Sequence, residues 1–254
     1  SVASETVQIL RVVDQDATHG VCVRRPRRET MKKLAAVSIV GGESLIGREI
    51  REVLEEQKVP VRLTLVGVDE EAGTLTEQSG EPVVITPLDE ETLRRSEVVI
   101  LAGTPASSER ALKLLRARPG GPATVDLTYS VCRAPEGRPR APVVEAGGGA
   151  AASKGEHLIA HPAAVALALF LKRLAARFSM RRVSAHVFEP ASERGQRGLD
   201  ELREQTISLL SFKSMPKRVF DAQASFSMLA RYGDDAPLAL ESVEQRIEQH
   251  LAGL

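Results

Sequence analysis

From Leu34 onward, short apolar runs alternate with segments of helical periodicity, as expected for a parallel β-sheet covered by helices on both faces. The apolar runs are too short for buried helices and predict strands. The predicted strands are Leu34–Val40, Val61–Val68, Val83–Thr86, Val98–Ala102 and Thr124–Leu127, and the helices between them are Leu45–Gln57 and Ser107–Arg118. This order predicts a Rossmann-type, doubly wound α/β domain over residues 31–160.

A stretch rich in glycine and alanine, Gly147–Ala152, interrupts the pattern before a further strand at His157–Ala160. The elements predicted after it are a helix over Ala163–Phe178, a strand over Arg182–Phe188, and helices over Leu199–Leu210 and Leu240–Leu251. These few elements predict a partial mixed α/β domain over residues 161–254, which is either truncated or supported by a partner. Residues 1–30 do not share the pattern and are predicted to be a flexible extension.

The charge balance argues against nucleic acid as a partner, because 34 basic residues match 34 acidic ones and aromatic residues make up only 3% of the chain. The one dense basic run, from Arg24 to Lys33, is interpreted as a solvated segment, with phosphate binding as the alternative. Two cysteines, Cys22 and Cys132, provide neither a disulfide framework nor a metal cluster. The longest apolar stretch, Ala163–Leu171, is too short to span a membrane, and no signal peptide is recognised, so a cytoplasmic location is expected.

The turn after the first predicted strand has the composition of a nucleotide-binding loop. It reads Gly41, Gly42, Glu43, Ser44, Leu45, Ile46 and Gly47, and the next helix begins within it. Backbone N–H groups at such a helix start can hold a pyrophosphate, although a tight turn without a ligand remains an alternative. Ser44 replaces a usual glycine, and Glu43 would add a negative charge beside the phosphates, so we expect weak binding.

Acidic residues Asp69, Glu70 and Glu71 follow the second predicted strand. Dinucleotide-binding proteins often hold the ribose hydroxyls of NAD with a carboxylate at this place, whereas the 2′-phosphate of NADP requires cations. If a dinucleotide binds, these charges favour NAD over NADP. A solvated acidic turn is the alternative.

Five segments together resemble the aspartate-semialdehyde dehydrogenase family in order and spacing. They are Val37–Gly47, Leu101–Thr104 with its Gly103, Val125–Asp126, Ala160–Ala164 and Gly198–Thr206. The resemblance covers residues 32–254, roughly the first two thirds of a family member, and is nearest to the Usg-like paralogues, which lack parts of the catalytic apparatus. It implies NADPH as cofactor, a homodimer, and Gly103 beside the cofactor.

The resemblance also implies a catalytic cysteine in an Asn-Pro-Asn-Cys motif, and this chain departs from it. The corresponding residues are His161, Pro162, Ala163 and Ala164, and a methyl group at Ala164 cannot form the thioester on which the family's reaction depends. Neither Cys22 nor Cys132 can be assigned to that helix start. A family glutamine is replaced by Glu189, and the family's catalytic histidine and a substrate-binding arginine would follow Leu254.

Three histidines are candidates for a chemical role. His161 could be a general base, but capping of the following helix is the favoured interpretation. His186 and Glu189 are expected on opposite faces of a strand, which makes a direct pair unfavourable. His157 is interpreted as a residue at the edge of the sheet, and no grouping has a spacing along the chain that predicts a metal site.

These observations favour a noncatalytic member of the family that binds a nucleotide or serves in assembly. One alternative is an active NAD(P)-dependent oxidoreductase that uses other residues, such as Glu189 as a base. Another is a truncated or degenerate product that keeps only the fold.

Overall fold

The computed structural model describes residues 34–68, 71–130, 139–145 and 155–254. The predictions for the N-terminal extension, for Cys22 and Cys132, and for Asp69 and Glu70 fall outside these residues. None of the helices in the described ranges is long and apolar enough to cross a membrane.

A seven-stranded sheet is the centre of the fold, and its strands run parallel in the order β5-β2-β1-β6-β7-β9-β8. Its strands are β1 (Ala35–Val40), β2 (Val61–Gly67), β5 (Thr86–Pro87), β6 (Val98–Leu101), β7 (Ala123–Asp126), β8 (Pro139–Arg140) and β9 (Glu156–Ile159). The chain crosses from one half of the sheet to the other between β1 and β6, which is the topological switch point of a doubly wound fold. The predicted α/β class is confirmed.

The described residues contain six α-helices beside the sheet: α1 (Leu45–Glu56), α2 (Glu90–Arg94), α3 (Pro105–Arg116), α4 (Pro162–Ala175), α5 (Gly195–Leu210) and α6 (Leu240–Gly253). Polar side chains fix several of their N-termini by accepting a backbone N–H in the first turn. Ser44 does so for α1, Asp89 for α2 and Thr104 for α3, where Ser107 completes a capping box. Only α2 has no counterpart among the helices predicted from the sequence.

Alternate side chains of β1 point to opposite faces, and each face has its own core. Val40 packs in a cluster with Leu93 of α2 and Leu112 of α3, whereas Ile39 packs with Leu65 and with Ile50 of α1. Helices therefore cover both faces of the sheet.

The predicted strand Val83–Thr86 proves to be two strands with different partners. Residues Glu81–Val84 form β4, which pairs antiparallel with β3 (Leu75–Gln78) in a separate hairpin. Residues Thr86–Pro87 form β5 at the edge of the main sheet, parallel to β2. A single strand was predicted because the run of residues 83–86 contains the end of β4 and the start of β5.

The predicted strand Arg182–Phe188 is wrong for the described structure: this segment is extended but pairs with no strand in the described ranges. All its residues are exposed, and no neighbouring backbone is placed to satisfy a strand edge. His157 also differs from expectation, because it pairs with Val125 on a strand that has β8 on its other side.

The buried polar residues Glu201 and Gln205 attach a long irregular segment, residues 211–239, to helix α5. The Glu201 carboxylate accepts backbone N–H groups of Arg218 at 2.6 Å, Val219 at 2.7 Å and Phe220 at 3.2 Å. The Gln205 amide accepts N–H groups from residues 224 and 225 and donates to carbonyls 216 and 222. These two side chains therefore supply hydrogen bonds to backbone N–H and C=O groups that have no partner in a helix or a sheet.

Candidate functional site

The β1–α1 turn and the β6–α3 turn touch at the switch point of the sheet. Gly41 has a φ of +81°, and a Cβ added there would lie 2.2 Å from the Cα of Gly103. A Cβ at Gly47 would lie 2.3 Å from the carbonyl oxygen of Gly41, and Gly42 is buried beside Leu65. The packing of the two turns requires these glycines whether or not a ligand is bound.

The N-terminus of α1 keeps two backbone donors at the mouth of this turn. Ser44 accepts the N–H of Gly47 at 3.0 Å and donates its hydroxyl to the carbonyl of Ala102 at 2.6 Å. The N–H groups of Leu45 and Ile46 have no partner within the helix, because they belong to its first turn. These donors and the helix dipole could hold an anion such as a pyrophosphate.

The expected repulsion by Glu43 is reduced, because its carboxylate is compensated. It pairs with Arg51 at 2.5 Å and with Arg48 at 3.1 Å, and it accepts the Thr76 hydroxyl at 2.8 Å. Burial alone would raise the pKa of Glu43, but the bonds from Thr76 and Arg51 and the two positive charges outweigh it and lower the pKa. Glu43 is therefore an anion as expected, but the charges of Arg48 and Arg51 offset the repulsion that it would exert on a phosphate.

Of the three acidic residues expected to act on the ribose, only Glu71 is described. It is exposed and follows β2, where its N–H bonds the carbonyl of Val68. It thus lies at the carboxyl end of the strand next to the glycine turn.

At the other candidate site, α4 begins at the segment Ala160–Ala164, which was singled out for its resemblance to a cysteine motif. His161 is the N-cap, and its Nδ1 accepts the N–H of Ala163 at 3.2 Å. Its backbone N–H in turn donates to Nδ1 of His250 on α6 at 2.8 Å. Ala164 follows in the first turn and is fully buried. The side chain of Ala164 is thus a methyl group inside the protein.

Glu189 lies directly against His161, a contact that the sequence does not predict. Its Oε1 is 3.5 Å from Nε2 of His161, and its Oε2 accepts Arg194 at 2.7 Å. Burial alone would raise the pKa of Glu189, but the contacts and charges of His161 and Arg194 outweigh it, so the pKa is lowered. His186, the partner considered from the sequence, is exposed.

Sequence reasoning missed an aromatic and basic surround that comes from distant segments. Tyr129 stacks on the His161 ring with centroids 5.8 Å apart. The guanidinium group of Arg246 lies over the ring of Tyr129, 4.8 Å from the ring centre. Burial, followed by the charges of His161 and Arg246, lowers the pKa of His250 to about 4. No spacing along the chain indicates these contacts, because α6 and the end of β7 meet α4 only in the folded protein.

The hydrogen bonds around His161 limit its chemistry. Since Nδ1 accepts an N–H, the neutral ring carries its proton on Nε2, which faces Glu189 and also Glu193 at 4.0 Å. His161 in this form offers no lone pair to a substrate. Glu189 is held as a carboxylate of lowered pKa, which makes it a weak base.

The sheet order and the glycine turn define a Rossmann-type α/β protein, and comparisons with known proteins agree with this class. No family model matches the chain. A USG-1 protein homolog of Azotobacter vinelandii is 29% identical over 83% of this chain, and one of Pseudomonas aeruginosa is 27% identical over 83%. An aspartate-semialdehyde dehydrogenase of Prochlorococcus marinus is 25% identical over 76% of the chain.

Among solved structures, a probable aspartate-semialdehyde dehydrogenase from Pseudomonas aeruginosa superposes with a TM-score of 0.70 at 23% identity, covering 87% of this chain and 66% of that one. The two USG-1 homologs are matched over 62% of their own lengths, and the Prochlorococcus enzyme over 55%. The chain therefore spans less than two thirds of these curated relatives. The chain is thus similar in sequence to USG-1 homologs and to members of the aspartate-semialdehyde dehydrogenase family, and it shares the fold of the solved structure from Pseudomonas aeruginosa.

Proposed function

We propose that the protein is a noncatalytic member of this family that binds a nicotinamide dinucleotide at the β1–α1 turn and assembles with itself. The observation that carries the proposal is the fully buried Ala164 in the first turn of α4, at the position of the family's nucleophile. Acyl transfer through a thioester needs a thiolate there, and alanine has no nucleophilic atom. The Leu45 and Ile46 donors of the glycine turn, in contrast, remain available for a cofactor.

The alternative, an oxidoreductase that uses Glu189 as its base, is less well supported. A base works best when its pKa is near the working pH, and the pKa of Glu189 lies below its ordinary value. Arg194 is bonded to Oε2 of Glu189, and His161 lies 3.5 Å from Oε1, so a substrate would have to enter between Glu189 and His161 or displace Arg194.

We expect background rates of phosphate-dependent reduction of NAD or NADP by aspartate semialdehyde, followed by absorbance at the nicotinamide band. Ala164→Cys alone should remain inactive, because Glu189 still occupies the glutamine position and is tied to Arg194. Ala164→Ser, with nearly the same volume change, is the matched control for the effect of filling this buried site. Turnover by the wild type that is lost in Glu189→Ala would contradict the noncatalytic assignment and favour the alternative.

We expect NAD to be preferred over NADP several-fold, because Glu71 and its neighbours Asp69 and Glu70 repel a 2′-phosphate. Fluorescence titration with NADH and NADPH measures both affinities. Replacing the three acids by serine should shrink the difference. Tighter binding of NADPH by the wild type at moderate salt would contradict the preference.

The same titration locates the phosphate site through Ile46, which is exposed in the first turn of α1. Ile46→Asp should weaken both dinucleotides by about tenfold, since a carboxylate there repels the pyrophosphate while suiting the helix dipole. Ile46→Asn has nearly the same shape without the charge and should bind far better. Equal affinities of the two variants would mean that the dinucleotide is not held at this turn.

Homodimerisation through residues 161–254 is the assembly we propose. This part of the chain exposes large apolar side chains, among them Phe188, Phe212 and Met228, at 78%, 99% and 83%. Exposed apolar surface on this scale is typical of an interface. Sedimentation of the full chain at micromolar concentration tests it, and a monomer would exclude it.

The small number of cysteines fits the reducing cytoplasm that we propose as the location of the protein.

A further inference from the structure

Three potential ligand atoms converge beside the start of α4. They are Nε2 of His161 and one carboxylate oxygen each of Glu189 and Glu193, and all lie within 4.8 Å of one another. Four ligands at the usual zinc distances are about 3.4 Å apart in a tetrahedron. The 3.5 Å and 4.0 Å separations from His161 to the two carboxylates are close to this value. We propose that His161, Glu189 and Glu193 form a binding site for a divalent transition-metal ion.

The burial of the cluster supports a ligand rather than a solvated group of charges. The side chains of His161 and Glu189 are only 4% and 10% exposed, and Glu193, at 31%, leaves an open side for entry. Oε1 of Glu189 is buried without a hydrogen-bond partner in the described structure. A buried carboxylate oxygen in this condition is costly, and a cation between it and His161 would satisfy it.

The donor set determines which cation fits. Imidazole nitrogen with carboxylate oxygen suits zinc, cobalt and manganese, whereas magnesium and calcium favour sites made of oxygen alone. Arg194 compensates one of the two carboxylates through Oε2 of Glu189, so the site keeps one uncompensated negative charge. This leaves room for a dication but limits its affinity, which we expect in the micromolar range.

Binding at Nε2 requires the His161 proton to move from Nε2 to Nδ1, with no net proton release. The 3.2 Å bond from the Ala163 N–H to Nδ1 must then give way, because Nδ1 becomes a donor. Metal binding is thereby coupled to the capping of α4. The three proposed ligands share no residue with the β1–α1 turn.

Calorimetric titration of the chelator-treated full chain with zinc chloride tests the site. His161→Asn keeps a capping acceptor for Ala163 but removes Nε2, and Glu193→Gln removes one carboxylate from a half-exposed position where folding is little affected. We expect each to weaken zinc binding by about tenfold or more. Glu244→Gln, an exposed change on α6, should bind like the wild type.

A cobalt(II) titration followed by visible absorbance gives a second readout, because the spectrum of a nitrogen-ligated ion should be lost in His161→Asn. Magnesium at the same concentration should not displace zinc. The proposal is overturned if the wild type does not bind zinc more tightly than about 1 mM, or if both variants bind it as the wild type does, which would assign the metal to other residues.

Discussion

Replacement of Glu201 by alanine should lower the free energy of unfolding by about 3–5 kcal/mol. The carboxylate is only 1% exposed and accepts three consecutive backbone N–H groups, those of residues 218–220. Alanine removes the acceptor of all three donors, of which the N–H of Phe220 is buried, and a buried donor without a partner is costly. Urea unfolding followed by circular dichroism measures the loss.

The control for this change lies one turn further along α5. Glu204 is half exposed, and its ion pair with Arg218 is a surface interaction. Glu204→Ala should therefore cost less than about 1 kcal/mol. If the two substitutions cost the same, water must be able to reach the N–H groups of residues 218–220, and Glu201 would not organise the irregular segment.

The second large effect is expected at Gly41, where alanine should cost about 3–5 kcal/mol. Its φ of +81° is unfavourable for any residue with a Cβ, and the new methyl group would overlap the backbone of Gly103 at 2.2 Å. The β1–α1 and β6–α3 turns would have to separate. Because the proposed dinucleotide lies across these turns, its affinity should fall as well.

Gly73 separates the two causes, since it has the same φ of +81° but no atom within 4 Å of an added Cβ. Gly73→Ala should show only the backbone strain, about 1–2 kcal/mol. The difference between the two variants in thermal or urea unfolding measures the contact with Gly103. Equal losses would show that the two turns can move apart without cost.

Most of the parallel sheet could be predicted from the sequence because its strands are buried on both faces. Continuous apolar runs such as Val98–Leu101, bounded by polar or glycine residues, have few other places in a folded chain. The starts of helices α1 and α3 could also be predicted, because Ser44 and Thr104 are residues that commonly cap helix N-termini and each follows the end of a strand. The hairpin β3–β4 was not, since its residues alternate without a buried face.

The β1–α1 turn could be located from its glycines, but the charge state around it could not. The sequence suggests that Glu43 repels a phosphate. In the structure its carboxylate is bonded to Arg51, eight residues later, and to Thr76 in the hairpin. The cluster at α4 was even less predictable. His161 contacts Glu189 and His250 only through tertiary packing. The sequence predicted a strand over residues 182–188, and the alternation of side chains along a strand does not apply to Glu189, because this segment is not part of a sheet.

The irregular segment between α5 and α6 is held near both of its ends. Glu201 and Gln205 hold residues 216–225, and the bond from His161 to His250 fixes α6 after it. Gly233 donates its N–H back to the carbonyl of Phe220 at 3.0 Å, so residues 226–232 form a closed loop, and the entropy of closing such a loop grows only with the logarithm of its length. Doubling its length would cost about 0.6 kcal/mol. Insertions and deletions in this stretch should thus be tolerated in evolution without disturbing the start of α4.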